Sequence, residues 1–471
     1  MLPSRVLKTA GSTALRVGSS QLRNTARPLA VSMAVHRSAG LAAPSPSVRL
    51  LHSTMSPKNK AQDTAWGASA SLAGTPASPQ LVINWADGPV STFDTQYLYD
   101  HCRCPSCFHP KTKQRLKTLG PVASDVAVSE IKVKDGQLKV SWSTTPGHES
   151  TFPLSFLRQA SYDPPLADRF GLLDQTPQTF WGSTIAANPP TVTYESVMPN
   201  LAGGEAAEKG VLDWLDKVYE FGFCFVTGVP ATSEATEELI RRMGHIRETH
   251  YGGFWDFTAD MSKGDLAYSN LALPAHTDTA YFTDPAGLQI FHCLSHPCPP
   301  GTGGETLLVD AFYVASKLQE SNPAAYDTLA RLPVPFHASG NEGTILRPPI
   351  DQPVLRLDQH GRLAQARWNN EDRCVLGDKW TPQDIRQWYD AARGFEAICT
   401  SPESEYWVKL NPGTVVVIDN WRVMHGRAAF TGQRRMCGAY VGADDWKSRR
   451  RALKKAEQQK TGADDEWRYG W

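Results

Sequence analysis

The sequence lacks any apolar run approaching the ~20 residues that span a bilayer as a helix, so no membrane span is expected. It lacks acid at its start. Residues 1–62 hold nine Lys and Arg and no Asp or Glu. They also lack an apolar core followed by a small-residue cleavage site, which excludes a secretory signal. Beyond residue 62 there is no basic excess: 39 Lys and Arg stand against 48 Asp and Glu, a net charge of −9. An acidic body of this kind argues against nucleic-acid binding.

What is there suits a soluble protein of several domains. At 471 residues the chain has room for two or three cores, and 41% apolar with 20% charged residues is ordinary globular composition. The Arg-, Ser- and Ala-rich residues 1–60 have the composition of a mitochondrial transit peptide, which predicts a matrix location. Residues 61–79 are rich in Ala, Ser, Gly and Pro and read as a linker. A β-rich module is expected over 80–165, with a hairpin at the Lys134-Asp135-Gly136 turn. Residues 166–200 carry many prolines and read as a connector. A larger domain follows over 201–450, and the basic end, a tail over 451–471 within the stretch 446–467, reads as a solvated helix.

Nine cysteines in a matrix protein are not expected to form structural disulfides. Three of them, Cys102, Cys104 and Cys107, are spaced as C-x-C-x2-C. Close-set thiolates suit a tetrahedral zinc ion. A fourth ligand is needed. His148 follows the hairpin and folds back towards the cluster in this reading, while His101 and His109 are nearer in sequence. A closed Cys3His set leaves no open position, so the zinc would be structural.

The larger domain opens on an apolar helical stripe of Val211, Leu212, Leu215, Val218 and Tyr219, and many short strands follow. Among them His276 and Asp278 form an H-x-D pair, and His425 stands 147 residues after Asp278. Two imidazoles and one carboxylate form the facial triad of non-haem Fe(II) oxygenases, which leaves positions open for a cosubstrate and O2. In a strand, residues two apart point the same way, which would let His276 and Asp278 share one ion. Arg434, nine residues after His425, is suited to grip a carboxylate in two-pronged fashion. Arg435 is the alternative, because strand neighbours face opposite sides.

The segments PAHTDTAYF, GLQIFHCL, TGGETLLVDAF, YWVKLNPGTVVVIDNWRVMHGR and RRMCGAY resemble the gamma-butyrobetaine/trimethyllysine dioxygenase family of Fe(II)/2-oxoglutarate oxygenases. The resemblance covers roughly residues 80–446 and is stronger on the trimethyllysine side. It implies a mainly β catalytic domain, a double-stranded β-helix or jelly roll with flanking helices, plus a small zinc-binding N-terminal module with three Cys and one His. It also implies 2-oxoglutarate as cosubstrate, L-ascorbate dependence and a homodimer formed through the N-terminal module. The implied reaction is C3 hydroxylation of N6,N6,N6-trimethyllysine, the first step of carnitine biosynthesis.

The resemblance implies roles for further residues. Thr306 matches a position that hydrogen-bonds the 2-oxoglutarate carboxylate in related oxygenases, though a β-branched residue also simply suits a strand. Tyr251, Trp255 and Tyr268 match an aromatic cage for a trimethylammonium group. Such a cation donates no hydrogen bond and is held by ring faces. Without the resemblance, the three aromatics would read as core packing. Asp265 is a candidate for the α-ammonium, and Asn369 and Asn370 are candidates for the substrate carboxylate. Two rival functions remain at this point: gamma-butyrobetaine hydroxylation, and a non-catalytic module that binds trimethyl-lysine.

Overall fold

The N-terminal module is built on two three-stranded sheets. One runs Ala68–Thr75, Ser78–Trp85, Val90–Asp94; the other runs Val128–Lys134, Gln137–Trp142, Glu149–Pro153. The hairpin turn forms where Lys-Asp-Gly predicts it. Asp135 and Gly136 both take positive φ (50° and 71°), the conformation a two-residue hairpin demands. Alternate residues point inward, so Leu81, Ile83, Phe93, Leu138, Val140 and Trp142 share one core.

These features belong to a computed structural model that describes residues 67–75, 77–120, 126–166, 176–258, 269–296, 302–377, 379–460 and 467. The described residues all belong to one unit, Ala61–Trp471. The expected transit segment therefore lies outside the described residues. No described helix is long and apolar enough to cross a membrane.

The catalytic domain is sheet-rich, with helices on its flanks. A six-stranded sheet runs in the order Phe254–Thr258, Arg435–Val441, Leu288–Ser295, Thr414–Asp419, Phe223–Thr227, Thr191–Thr193. A four-stranded sheet runs Leu273–His276, Val423–Arg427, Thr306–Asp310, Tyr406–Val408. The apolar run Val415–Ile418 shows how the layers are assembled. Val416 and Ile418 join Leu308, Tyr406 and Val423 of the other sheet in one core. Val415 and Val417 face the opposite way and pack with Trp214, Leu215 and Trp446 of the helices Gly204–Phe221 and Ala443–Lys460. A strand buried on both faces reads as a continuous apolar run rather than an alternation. The outer face of the smaller sheet is covered by the helices Ala311–Ser321, Pro323–Arg331 and Pro382–Cys399.

Three expected boundaries change. The linker assigned to 61–79 contains the strand Ala68–Thr75, paired antiparallel with Ser78–Trp85. Its Ala and Ser residues have weak strand preference, but main-chain pairing to an apolar partner on the sheet edge does not depend on that preference. The connector assigned to 166–200 contributes Thr191–Thr193, which pairs in parallel with the strand Phe223–Thr227, so the catalytic fold begins before residue 201. The basic C-terminal tail assigned to 451–471 begins inside a helix that ends at Lys460. Trp446, Arg450 and Leu453 line its buried face, and Arg450 pairs with Asp216 at 2.6 Å. The segment 355–370, one of the short strand-like stretches of the sequence, forms a separate two-stranded ribbon, Leu355–Leu357 with Leu363–Ala366.

Candidate active site

The trio His276, Asp278 and His425 converges where the smaller sheet meets a turn. His276 and His425 are direct cross-strand partners, with ring centroids 4.5 Å apart. Asp278 is not on that strand. The strand ends at His276, and Asp278 stands in the turn that follows. The shared-face reading of H-x-D is therefore replaced by a turn. Thr279 adopts φ +56°, and its Oγ1 accepts the Ala286 N–H at 2.8 Å. Asn420 holds both sides of Asp278, accepting its N–H at 2.7 Å and donating to its carbonyl at 2.9 Å.

The donor atoms are aimed inward. Asp278 Oδ1 lies 3.2 Å from Nε2 of His276 and 3.8 Å from Nε2 of His425. Nδ1 of His276 donates to the Pro274 carbonyl at 2.8 Å, which turns its Nε2 lone pair towards the centre. Oδ2 of Asp278 is occupied differently, receiving Tyr440 Oη at 2.7 Å and the side-chain amide of Gln289. Without a cation, burial pulls the His276 imidazolium down, but the hydrogen bond and charge of Asp278 outweigh it and raise its pKa to about 9, so a bound metal frees the Nε2 lone pair by displacing that proton. Burial and the neighbouring His276 push His425 down to about 3, while burial raises the Asp278 carboxyl less than the two imidazoles lower it. One negative charge set against two imidazole lone pairs, all within 4.8 Å, is a donor set for a divalent cation.

The same cavity collects most of the other candidates. Arg434, Thr306, Tyr251, Trp255 and Asn369 all line it. Arg434 is buried, lies 5.8 Å above the Phe430 ring and has no carboxylate within ion-pair distance among the described residues. The nearby Glu305 instead faces Lys409 at 3.5 Å. Burial lowers the Arg434 pKa, as expected of a cation without a counter-ion. Arg435 points the other way, exposed and paired with Asp256 at 2.8 Å, and does not line the cavity. Asn370 is likewise exposed and outside it. Tyr268 and Asp265 fall outside the described residues. Sequence reasoning missed the cavity-lining Glu371 and gave no role to Gln289, Asn420 and Tyr440, which lie inside the quoted segments GLQIFHCL, YWVKLNPGTVVVIDNWRVMHGR and RRMCGAY but have no ligand spacing of their own.

In the N-terminal module Cys102, Cys104, Cys107 and His148 form a second cluster. His148 Nε2 lies 3.2, 3.6 and 3.5 Å from the three sulfurs in turn. With metal–sulfur and metal–nitrogen bonds of about 2.3 and 2.0 Å, tetrahedral edges fall at about 3.5 Å. His101 and His109 are turned to other partners, the Tyr97 carbonyl and the Thr112 N–H.

The profile described as Taurine catabolism dioxygenase TauD, TfdA family matches residues 195–440, and one described as Gamma-butyrobetaine hydroxylase-like, N-terminal matches 75–161. A trimethyllysine dioxygenase of Neurospora crassa is 40% identical over 424 residues, covering 83% of this chain and 84% of that one. The chain belongs to the gamma-butyrobetaine/trimethyllysine dioxygenase family. The human trimethyllysine dioxygenase, mitochondrial, is 38% identical over 76% of this chain and 81% of its own length. A gamma-butyrobetaine dioxygenase of a Pseudomonas species is 30% identical over 78% of this chain and 92% of its own length. Membership makes this chain a 2-oxoglutarate-dependent dioxygenase that requires Fe(II). The TauD match ends at Tyr440, the residue that holds Asp278 Oδ2.

Proposed function

We propose that the chain hydroxylates C3 of N6,N6,N6-trimethyllysine, with His276, Asp278 and His425 holding Fe(II). The iron supplies O2 activation coupled to decarboxylation of 2-oxoglutarate to succinate and CO2. The chain's own residues do the positioning. Tyr440 and Gln289 keep Oδ2 of Asp278 engaged, so that Oδ1 alone faces the imidazoles. Arg434 takes the far carboxylate of 2-oxoglutarate, with Thr306 as a neighbouring hydroxyl. Tyr251 and Trp255 present ring faces to the trimethylammonium group, and Asn369 has an amide hydrogen for the substrate carboxylate. Holding the target carbon beside the oxidising centre, away from water, is the protein's main contribution to rate.

The observation that carries this reading is one cavity lined by the cation-seeking trio, by an arginine without a carboxylate, and by aromatic faces. Identity to trimethyllysine dioxygenases of 38–40%, against 30% to the gamma-butyrobetaine enzyme, supports trimethyllysine as substrate. In the same reading the two facing sheets are a double-stranded β-helix, and Cys102, Cys104, Cys107 and His148 hold a structural zinc. The acid-free first segment and the mitochondrial naming of the human relative support a matrix location. Ascorbate dependence and homodimer formation rest on family resemblance alone. The test is succinate release with Fe(II), 2-oxoglutarate and a panel of trimethylammonium compounds. Release with trimethyllysine above all others is expected. Release with gamma-butyrobetaine alone would reassign the substrate, and no release at all would leave only a binding module.

A further inference from the structure

The cavity holds an acidic side chain outside every motif that marks the family. Glu371 lines it, and no basic side chain lies within ion-pair distance of its carboxylate among the described residues. It shares that cavity wall with His276, Asp278 and His425. Its position is fixed rather than incidental. Asn369 Oδ1 accepts the backbone N–H of Glu371 at 2.9 Å and of Asp372 at 3.2 Å, and Asn369 Nδ2 donates to Asp372 Oδ2 at 2.7 Å. That turn is tied to the metal-ligand segment one residue before Asp278. The Thr277 N–H donates to the Trp368 carbonyl at 2.7 Å, and the Trp368 N–H donates to Thr277 Oγ1 at 3.0 Å. Asp372 is engaged by Asn369, whereas Glu371 lines the cavity and is exposed, so a charged group there stays partly hydrated.

The chemistry of trimethyllysine says what belongs there. C3 is one bond from the carbon that bears the α-ammonium and four bonds from the trimethylammonium nitrogen. With the trimethylammonium against Tyr251 and Trp255 and C3 facing the trio, the α-ammonium must lie beside the trio, on the side away from the aromatics. We propose that Glu371 binds the α-ammonium of the substrate and so separates trimethyllysine from trimethylammonium acids that lack one. This inference rests on the proposed function. Its chemistry is a charge-assisted hydrogen bond at a partly open site, which favours the amino substrate about tenfold.

The test is the ratio of kcat/KM for trimethyllysine to that for its deamino analogue, 6-(trimethylammonio)hexanoate. The ratio does not depend on the fraction of folded or iron-loaded protein. Glu371→Gln is expected to lower it about tenfold, mainly through KM for trimethyllysine, and Glu371→Asp to restore part of the loss. A ratio in Glu371→Gln within twofold of the unsubstituted enzyme would overturn the inference while leaving the proposed function in place. An unsubstituted enzyme that releases no succinate with trimethyllysine would overturn both, and the variants are not needed to see it.

Discussion

Tyr440 donates a hydrogen bond of 2.7 Å to Oδ2 of Asp278, the same oxygen that Gln289 reaches, so only Oδ1 faces His276 and His425. A carboxylate held in this way offers one oxygen to a metal rather than two, which keeps a position free for the cosubstrate. Tyr440→Phe retains the ring and removes the proton that fixes Oδ2. The expected result is a 10- to 100-fold weaker Fe(II) affinity in anaerobic titration, typical of losing a partner that orients a metal ligand. Unchanged affinity would mean that Gln289 alone suffices.

Arg434 and Arg435 are adjacent, yet their environments are opposite. One is buried in the cavity without a carboxylate, and the other is exposed and bonded to Asp256. Arg434→Met is expected to raise KM for 2-oxoglutarate at least tenfold, because a charge-assisted pair to a carboxylate is worth about 1.5–3 kcal/mol. Arg435→Gln removes an exposed, solvent-screened ion pair outside the cavity and should leave that KM within twofold. Steady-state kinetics with 2-oxoglutarate varied decide it; equal effects at the two positions would refute the assignment.

Much of this site was legible in the sequence, and the parts that were not have physical reasons. The two histidines and Asp278 are found by residue type and spacing. How Asp278 reaches the centre is not, because it depends on the positive φ of Thr279 and on Asn420, 142 residues away. The parity of Arg434 and Arg435 is set by register against the strand Leu288–Ser295, where Ser295 pairs with Arg435 after a bulge, and sequence alone does not give a bulge. The strand Ala68–Thr75 hid behind Ala and Ser, since its pairing comes from its partner. The last helix was expected, but as a solvated one, because its basic run masks the buried face of Trp446, Arg450 and Leu453, which does follow helical spacing.

If Cys102, Cys104, Cys107 and His148 hold the proposed zinc, its removal should destabilise the N-terminal module more than any single core substitution. Cys102, Cys104 and Cys107 sit against His148, and burial pushes the Cys102 thiol up to about 12, so its thiolate needs a cation. Lys117 stands 3.4 Å from His148 Nδ1 and would offset the net negative charge of three thiolates around a zinc ion. Cys104→Ser is expected to remove one equivalent of zinc by elemental analysis and to lower Tm by several degrees or more. An undiminished zinc content would place the ion elsewhere.

His292 is fully buried and couples the fold to pH. Its Nε2 accepts the Gly413 N–H at 3.1 Å, so the ring proton is on Nδ1 and is donated to Thr236 Oγ1 at 2.7 Å. Thr236 passes its own proton to the Thr232 carbonyl at 2.7 Å. A second proton on the ring would break the bond to Gly413, and burial holds the pKa down at about 4. The unfolded chain, with an imidazole pKa near about 6.5, therefore binds more protons than the folded one between these values. The stabilisation is complete above about pH 6.5 and is lost as pH falls towards about 4, and near pH 5 the loss reaches roughly 2 kcal/mol. Urea unfolding at pH 7.5 and about 5 should show this loss in the unsubstituted protein, beyond what His292→Gln shows over the same interval. The difference between the two proteins cancels the titration of every other histidine. Equal pH dependence in both would mean that the ring is already protonated in the fold, and the Gly413 bond could not exist as described.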